Sequence, residues 1–366
     1  MEKLAKESIL KIKSYIPGKP IEEVKRELRL KSAVKLASNE NALPPSKKVV
    51  RAAKRALMSL NRYPDGNCFY LKRALADRFR MSPDNVIIGN GSDEIIVLTL
   101  RAFLRSDEEV IIARPTFLIY EIASQIEGAK VKFVPLKNFR YDIPGIVRLI
   151  SDKTKVIFIA NPDNPTGTYV TKKEINFLIS RAPRDTILYF DEAYFEFAKD
   201  VSDYPDTIKY LSAPSGKGKN IIVTRSFSKI YSLAGARVGY GVAKRSIIDC
   251  LNRVREPFNV NSVAQEAALA ALDDKRHIER TLRLVKKGKF FLYKKLDSLG
   301  IGYIPSVTNF ILIDMGKQSK DVYKKLLEHG VIVREMSPWR LNNFIRVTIG
   351  TMDENRRFIR ALKKIL

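Results

Sequence analysis

The chain has 366 residues, 45% of them hydrophobic and 9% aromatic, which is enough for a sizeable core and too many for one minimal domain. Two cysteines and two histidines exclude a disulfide framework and leave too few ligands for a cysteine-rich zinc module or an imidazole metal site. The net charge is +26, but basic residues are interleaved with acids, as in KEINFLISRAPRD and DDKRHIERTLRLVKKGK. A solvated lysine-rich surface explains that mixture better than a nucleic-acid footprint, and its positive field also attracts small phosphorylated substrates.

The first residues, MEKLAKESILKIKSY, carry no apolar stretch of signal-peptide length, and no apolar run approaches the ~20 residues of a membrane span. The expectation is a cytoplasmic protein without a membrane partner. Residues 1–44 read as an arm with one helix, PIEEVKREL, opened by Pro20, and a stop at Pro44-Pro45.

From 45 to 255 short apolar runs alternate with helical patterns. The strand candidates are VIIG (86–89), EVIIA (109–113), KVKFV (130–134), KVIFIA (155–160), TILYFD (186–191), NIIVT (220–224) and RVGYGVA (237–243). Nearly continuous apolar strands separated by helices predict an α/β fold with a mostly parallel sheet covered on both faces. Ser92-Asp93-Glu94 reads as a capped helix start, and Thr171–Glu174 and Thr351–Glu354 as capping boxes. From 256 to 366 the pattern becomes a smaller α+β unit: a long helix (about 275–299), TNFILID, the helix KDVYKKLLEHG, and the strands VIVRE and FIRVTIG.

In a mostly parallel sheet, ligands bind beyond the carboxyl ends of the strands, and the polar clusters of this chain follow those ends. Asn90-Gly91-Ser92-Asp93 offers backbone N–H groups at a helix start, a cradle for phosphate. Asn161-Pro162-Asp163-Asn164-Pro165-Thr166-Gly167 is a tight polar loop after a buried strand. Asp191 ends another such strand, with the phenol of Tyr194 three residues on; a buried carboxylate there needs a partner. Lys229 follows NIIVT among small and apolar residues, where desolvation makes an amine a nucleophile or base. Ser226, Ser228 and Arg237 beside it are ligands for a phosphate dianion. An amine, a carboxylate, a phenol, an asparagine and a phosphate cradle together form the set that pyridoxal phosphate requires.

On these stretches the chain resembles the fold-type I aminotransferases that use pyridoxal 5'-phosphate, and among them the histidinol-phosphate aminotransferase group. The matching segments run in family order: LASNEN, NRYPDG, GNGSDEII, RPTFLIY, NPDNPTG, DEAYFEF, RSFSK, LAGARVGY, NFILID, GVIVRE and IRVTIGTMDEN, with YIPGKPIEEV matching the arm. The resemblance implies a three-layer αβα large domain around a seven-stranded sheet, a smaller α+β domain and an amino-terminal arm. It implies that Lys229 is the Schiff-base lysine, that Asp191 pairs with the pyridine nitrogen, and that Tyr194 and Asn164 bond the ring's 3-oxygen. Tyr120 is expected to stack on the ring. Ser92, Asp93, Ser226, Ser228 and Arg237 are expected to hold the phosphate.

By the same resemblance the active unit is a homodimer with shared sites, in which Tyr63 reaches the neighbouring subunit's cofactor phosphate. Arg346 is expected to grip the carboxylate of glutamate or the phosphate of histidinol phosphate. Arg334 and Tyr15 are expected on the substrate phosphate, and Asn39 among the substrate-binding residues. The implied reaction is histidinol phosphate with 2-oxoglutarate giving imidazole-acetol phosphate and glutamate, without a metal. An aromatic amino-acid aminotransferase, a threonine-phosphate decarboxylase of the same fold and a basic nucleic-acid-binding protein are the alternatives. The segment EMSPWRLNNF, between the two arginines, carries no readable motif.

Overall fold

Long apolar runs that cannot face water on either side must be covered on both, and in the computed structural model they lie side by side in one sheet. The structure describes residues 4–366 apart from 6, 11, 15 and 317, so Tyr15 lies outside the described residues. Strand β1 (Val34–Lys35) belongs to the amino-terminal segment. The seven expected strands follow as β2 (Val86–Gly89), β3 (Glu109–Arg114), β4 (Lys130–Pro135), β5 (Thr154–Ala160), β6 (Ile187–Asp191), β7 (Asn220–Ser226) and β8 (Gly239–Ala243). Their order across the sheet is β2-β8-β7-β6-β5-β3-β4. Only β8 runs antiparallel to its neighbours, while β3–β7 pair in parallel. Every residue of β2, β6 and β8 is buried, as strands sandwiched between helices require.

The order reverses between β3 and β5, because β4 lies beyond β3 while β6 and β7 extend the other way. Such a switch point opens a crevice at the carboxyl ends of the strands. The segments leaving β3 and β5 there are Pro115-Thr116-Phe117 and Asn161–Gly167.

A second sheet of four strands, in the order β12-β13-β10-β9, comprises β9 (Tyr303–Ile304), β10 (Phe310–Asp314), β12 (Arg334–Glu335) and β13 (Phe344–Thr348). VIVRE is not one strand. It divides into β11 (Val331–Ile332), which pairs with β1, and β12, which pairs with β13. Each half thus meets a different partner, and the amino-terminal segment is bound to the carboxy-terminal unit through β1. Val24 of the helix Ile21–Glu27 packs there with Ala37, Leu327 and Ile332.

The alanine-rich helix Ser262–Leu272 buries Ala264, Ala267, Ala268 and Ala271 in the core of the seven-stranded sheet. The separate core of the second sheet begins with Val285 on the helix Lys275–Asp297. Both capping boxes form, at Thr171 and Thr351. At the helix Ser92–Phe103, however, the cap is Gly91 with φ 89° and Ser92 is the first helical residue, so the serine side chain is left to face the crevice rather than its own helix.

One buried ion pair ties the ends of β6 and β7. Glu192, immediately after Asp191, receives the Arg225 guanidinium at 2.7 Å, and both side chains are almost fully enclosed. Arg225 also meets Asp206 at 2.6 Å and lies 3.3 Å from the centroid of the Phe195 ring. The pair holds the carbonyl ends of two strands that present Asp191 and Ser226. Removing one partner leaves the other charge enclosed, so Glu192→Ala is expected to destabilise the fold by about 3 kcal/mol. The denaturant midpoint of the purified variant checks this, and a loss below about 1 kcal/mol, the scale of an exposed pair, would contradict it.

Candidate active site

Five strand ends converge on one cavity. It has a volume of about 170 Å³ and is lined by Ser92, Asp93, Phe117, Tyr120, Ala160, Pro162, Asn164, Asp191, Ala193, Tyr194, Ser226, Ser228, Lys229 and Arg237. Asp191 is buried at the last position of β6. Its Oδ2 accepts a hydrogen bond from the Tyr120 hydroxyl at 2.7 Å and its Oδ1 one from the Ala193 N–H at 3.1 Å. Burial raises its pKa above the ordinary aspartate value, and these two bonds only partly oppose the rise. A cation placed against it would restore the ionised form.

Lys229 shows the opposite displacement. Burial lowers its pKa to about 8, and the nearby Arg346 guanidinium pushes in the same direction. The amine donates to the Ser38 carbonyl at 3.3 Å and lies 5.7 Å from the centre of the Tyr194 ring. It is therefore an amine with a substantial neutral fraction near pH 8, as a nucleophile for a carbonyl group requires. The Tyr194 hydroxyl oxygen accepts from Asn39 Nδ2 at 2.9 Å. Asn39 is itself fixed, its N–H donating to Thr348 Oγ1 at 2.9 Å and its carbonyl accepting from Asn309 at 3.0 Å.

The remaining wall is built for an anion. Gly91 and Gly239 let two backbones approach closely: a Cβ on Gly239 would lie 2.5 Å from the Ser92 nitrogen, and one on Gly91 2.5 Å from an Arg237 nitrogen. Side chains at these positions would fill the cradle. Arg237 reaches across it to Asp93 at 2.9 Å, and Ser226 Oγ accepts from the Ser228 N–H at 3.0 Å, which orients both serines. A buried carboxyl, a phenol, a neutral-leaning amine and a cradle of N–H, hydroxyl and guanidinium donors fit pyridoxal phosphate group by group.

Two of the expected residues in the wall of this cavity have partners inside the protein. The Tyr120 ring is wholly buried in the cavity wall and stacks on Phe158, with centroids 4.7 Å apart and planes 7° apart. Phe117, set edge-on to Tyr120 at 5.5 Å, lines both this cavity and the next, as Tyr194 does. Phe117 and Tyr120 lie in RPTFLIY, three positions apart. Asn164 accepts from an Arg346 guanidinium nitrogen, while Asn161, Asp163 and Thr166 of the same loop bond within the protein.

An adjoining cavity of about 110 Å³ shares Phe117, Asn164, Tyr194 and Lys229 with the first and adds Ser38, Asn39, Arg334, Trp339 and Arg346. Arg334 donates to the Ile16 carbonyl at 2.7 Å, and Arg346 to the Ala37 carbonyl at 3.0 Å. A wider cavity of about 520 Å³ opens beyond Arg334 and Trp339, between Lys13, Ser14 and Ile16 on one side and the helix Leu118–Ile126 on the other. Tyr63 is in the wall of none of these. It is 82% exposed and stacked on Phe258 at 4.6 Å. Among the described residues, no helix is long and apolar enough to cross a membrane.

Residues 31–362 match the family of class I and II aminotransferases. The chain is 46% identical to a histidinol-phosphate aminotransferase of Moorella thermoacetica, over 99% of this chain and 92% of that protein. It is also 46% identical to one of Caldicellulosiruptor saccharolyticus, over 99% of each. A solved structure of the Sinorhizobium meliloti histidinol-phosphate aminotransferase in complex with pyridoxal-5'-phosphate superposes with a TM-score of 0.88 at 26% identity, covering 98% of this chain and 96% of that one.

The environment of Lys229 has a direct chemical signature. In the cofactor-free protein, its acylation by acetic anhydride should follow a midpoint near the value of about 8 set by burial. The amine is protonated and inert below that pH and reactive above it. Arg346→Gln, which removes a neighbouring positive charge, should move the midpoint upward. Peptide mapping of the modified protein checks both, and a midpoint at the ordinary lysine value would contradict the geometry.

Proposed function

Because this chain belongs to the class I and II aminotransferases, in their histidinol-phosphate aminotransferase group, we propose that it transfers the amino group of L-histidinol phosphate to 2-oxoglutarate. The products are imidazole-acetol phosphate and glutamate, a step of histidine biosynthesis. The observation that carries this reading is the pair of buried arginines, Arg334 and Arg346, in the wall of a cavity that also contains Lys229. A carboxylate needs one guanidinium; a phosphate dianion is served by two. The relatives reported above share this activity in their names, and nothing comparable favours an aromatic amino-acid aminotransferase.

When bound, pyridoxal phosphate supplies an aldehyde that joins amines covalently and a ring that accepts the electrons left on the substrate Cα. In our reading Lys229 would hold it through its amine and would be the base placed to take the Cα proton. Asp191 would pair with the ring nitrogen and favour its protonated form, its own ionised form being restored by that positive charge. Tyr120 would orient Asp191 through its hydroxyl, and its ring, with Phe117 beside it in the wall, would pack against the cofactor ring. Tyr194, fixed by Asn39, and Asn164 serve the ring's 3-oxygen. Ser92, Asp93, Ser226, Ser228 and Arg237 form the phosphate cradle.

We further infer a homodimer with shared sites. The exposure of Tyr63 supports it, as does that of the neighbouring Met58, Leu60, Phe69 and Tyr70: an apolar surface of this kind is suited to a second copy. We divide the chain into an arm to residue 44, a large unit to about residue 274 and a small unit beyond. The core membership of Ser262–Leu272 supports moving the boundary from 255.

The test is a substrate panel of histidinol phosphate, phenylalanine, tyrosine and threonine phosphate, each with 2-oxoglutarate. Histidinol phosphate should give the highest kcat/KM. Arg334→Ala should then cost the histidinol-phosphate half-reaction roughly 1.5–3 kcal/mol, the worth of a charge-assisted bond to a buried dianion, with a much smaller effect on glutamate. Equal losses in both half-reactions would remove Arg334 from the phosphate pocket.

A further inference from the structure

The two substrate arginines create an electrostatic difficulty. Arg334 and Arg346 are direct partners across the antiparallel pair β12–β13, so they project from the same face of the sheet. They are 8% and 5% exposed. Like charges directly opposite one another repel, and burial removes the water that screens them.

Trp339 stands against both. Its ring centroid is 5.0 Å from the Arg334 guanidinium carbon and 6.0 Å from that of Arg346, within the range over which an indole face attracts a cation. Trp339 is 3% exposed, packed with Leu312 and Met336. It ends the turn Ser337–Trp339 that links β12 to β13. Its indole N–H donates to the Thr116 carbonyl at 2.9 Å, one residue before Phe117, and Thr116 Oγ1 donates to Asp163 at 2.6 Å in the loop that carries Asn164. One side chain therefore lies within cation–π range of both guanidiniums and binds the small sheet to the loop after β3, which is bonded in turn to the loop that carries Asn164.

We propose that Trp339 is a positioning residue for anion specificity, whose indole face holds Arg334 and Arg346 together against their mutual repulsion so that one dianion meets both. The proposal rests on the functional reading above for its natural substrate, though not for its physics. Without the ring's attraction the two guanidiniums separate. A monoanionic carboxylate, served by Arg346, loses little; a phosphate loses its second partner.

The chain has a single tryptophan, so growth on progressively fluorinated tryptophans changes this ring alone. Fluorine drains the π face while leaving the side chain's packing and its N–H in place. In the holoenzyme, the Kd of inorganic phosphate, measured as a competitive inhibitor of the glutamate half-reaction, is expected to rise stepwise with fluorination. At the end of the series it should reach about ten-fold, or ~1.4 kcal/mol. The KM of histidinol phosphate should rise in parallel, with kcat and the KM of glutamate little changed. Trp339→Phe, which keeps an aromatic face, should stay within about threefold of wild type in phosphate Kd, and Trp339→Leu should reach the ten-fold loss or exceed it.

A flat phosphate Kd across the fluorinated series, or an equal rise in the glutamate KM, would overturn the proposal. Wild-type enzyme inactive on histidinol phosphate would overturn the functional reading instead, and the inorganic phosphate series would still decide the role of Trp339.

Discussion

A carboxyl group enclosed at the end of a central strand sets the terms for the rest of this site. Asp191 could not be placed there without partners, and the fold provides Tyr120 and the Ala193 N–H on one side while leaving the other open to the cavity. Its neighbour Glu192 is locked to Arg225 on the adjacent strand, so the carboxyl cannot escape toward solvent without breaking a buried ion pair. Lys229 is shaped by the same desolvation acting on the opposite charge. Burial pushes the acid up and the base down, and a bound group that is positive near the acid and reactive toward the base relieves both.

The substrate side is built on different elements. The anion cradle of the first cavity comes from the parallel sheet and its close glycine contacts, whereas Arg334 and Arg346 of the adjoining cavity come from the four-stranded sheet and rest on carbonyls of the amino-terminal segment. The pairing of β1 with β11 and the Trp339–Thr116 bond join these parts. On the proposed function, substrate choice would lie with the small sheet and the cofactor residues with the large one, as expected of a fold whose sites lie in loops on a rigid scaffold.

Much of this was legible in the sequence because the responsible signals are local. Most of the seven strands of the large sheet are nearly continuous apolar runs, and the polar clusters follow their ends. What escaped depends on tertiary neighbours. Tyr120 and Phe117 are both aromatic, three residues apart and in the wall of the cavity; the stacking of Tyr120 on Phe158 and the bond of its hydroxyl to Asp191 come from strands distant in sequence. The helix Ser262–Leu272 has no local mark to assign it to either core. VIVRE reads as one strand because its break reflects two partners distant in sequence. Trp339 sits in a stretch without periodicity, and its meaning comes from two arginines and a carbonyl brought to it by the fold.

The central claim is that the buried carboxyl of Asp191 sustains charge on the cofactor ring while the Cα proton is removed. The most direct measurement is the single-turnover rate of amino transfer from histidinol phosphate in Asp191→Asn, compared with wild type at matched cofactor occupancy. An amide keeps the size, and its oxygen can still accept from the Ala193 N–H while its NH2 donates to the Tyr120 hydroxyl oxygen, but it cannot hold a positive ring nitrogen. The account predicts a rate lower by about 10²-fold or more, the scale of losing one preorganised electrostatic partner; a rate equal to that of wild type would contradict it.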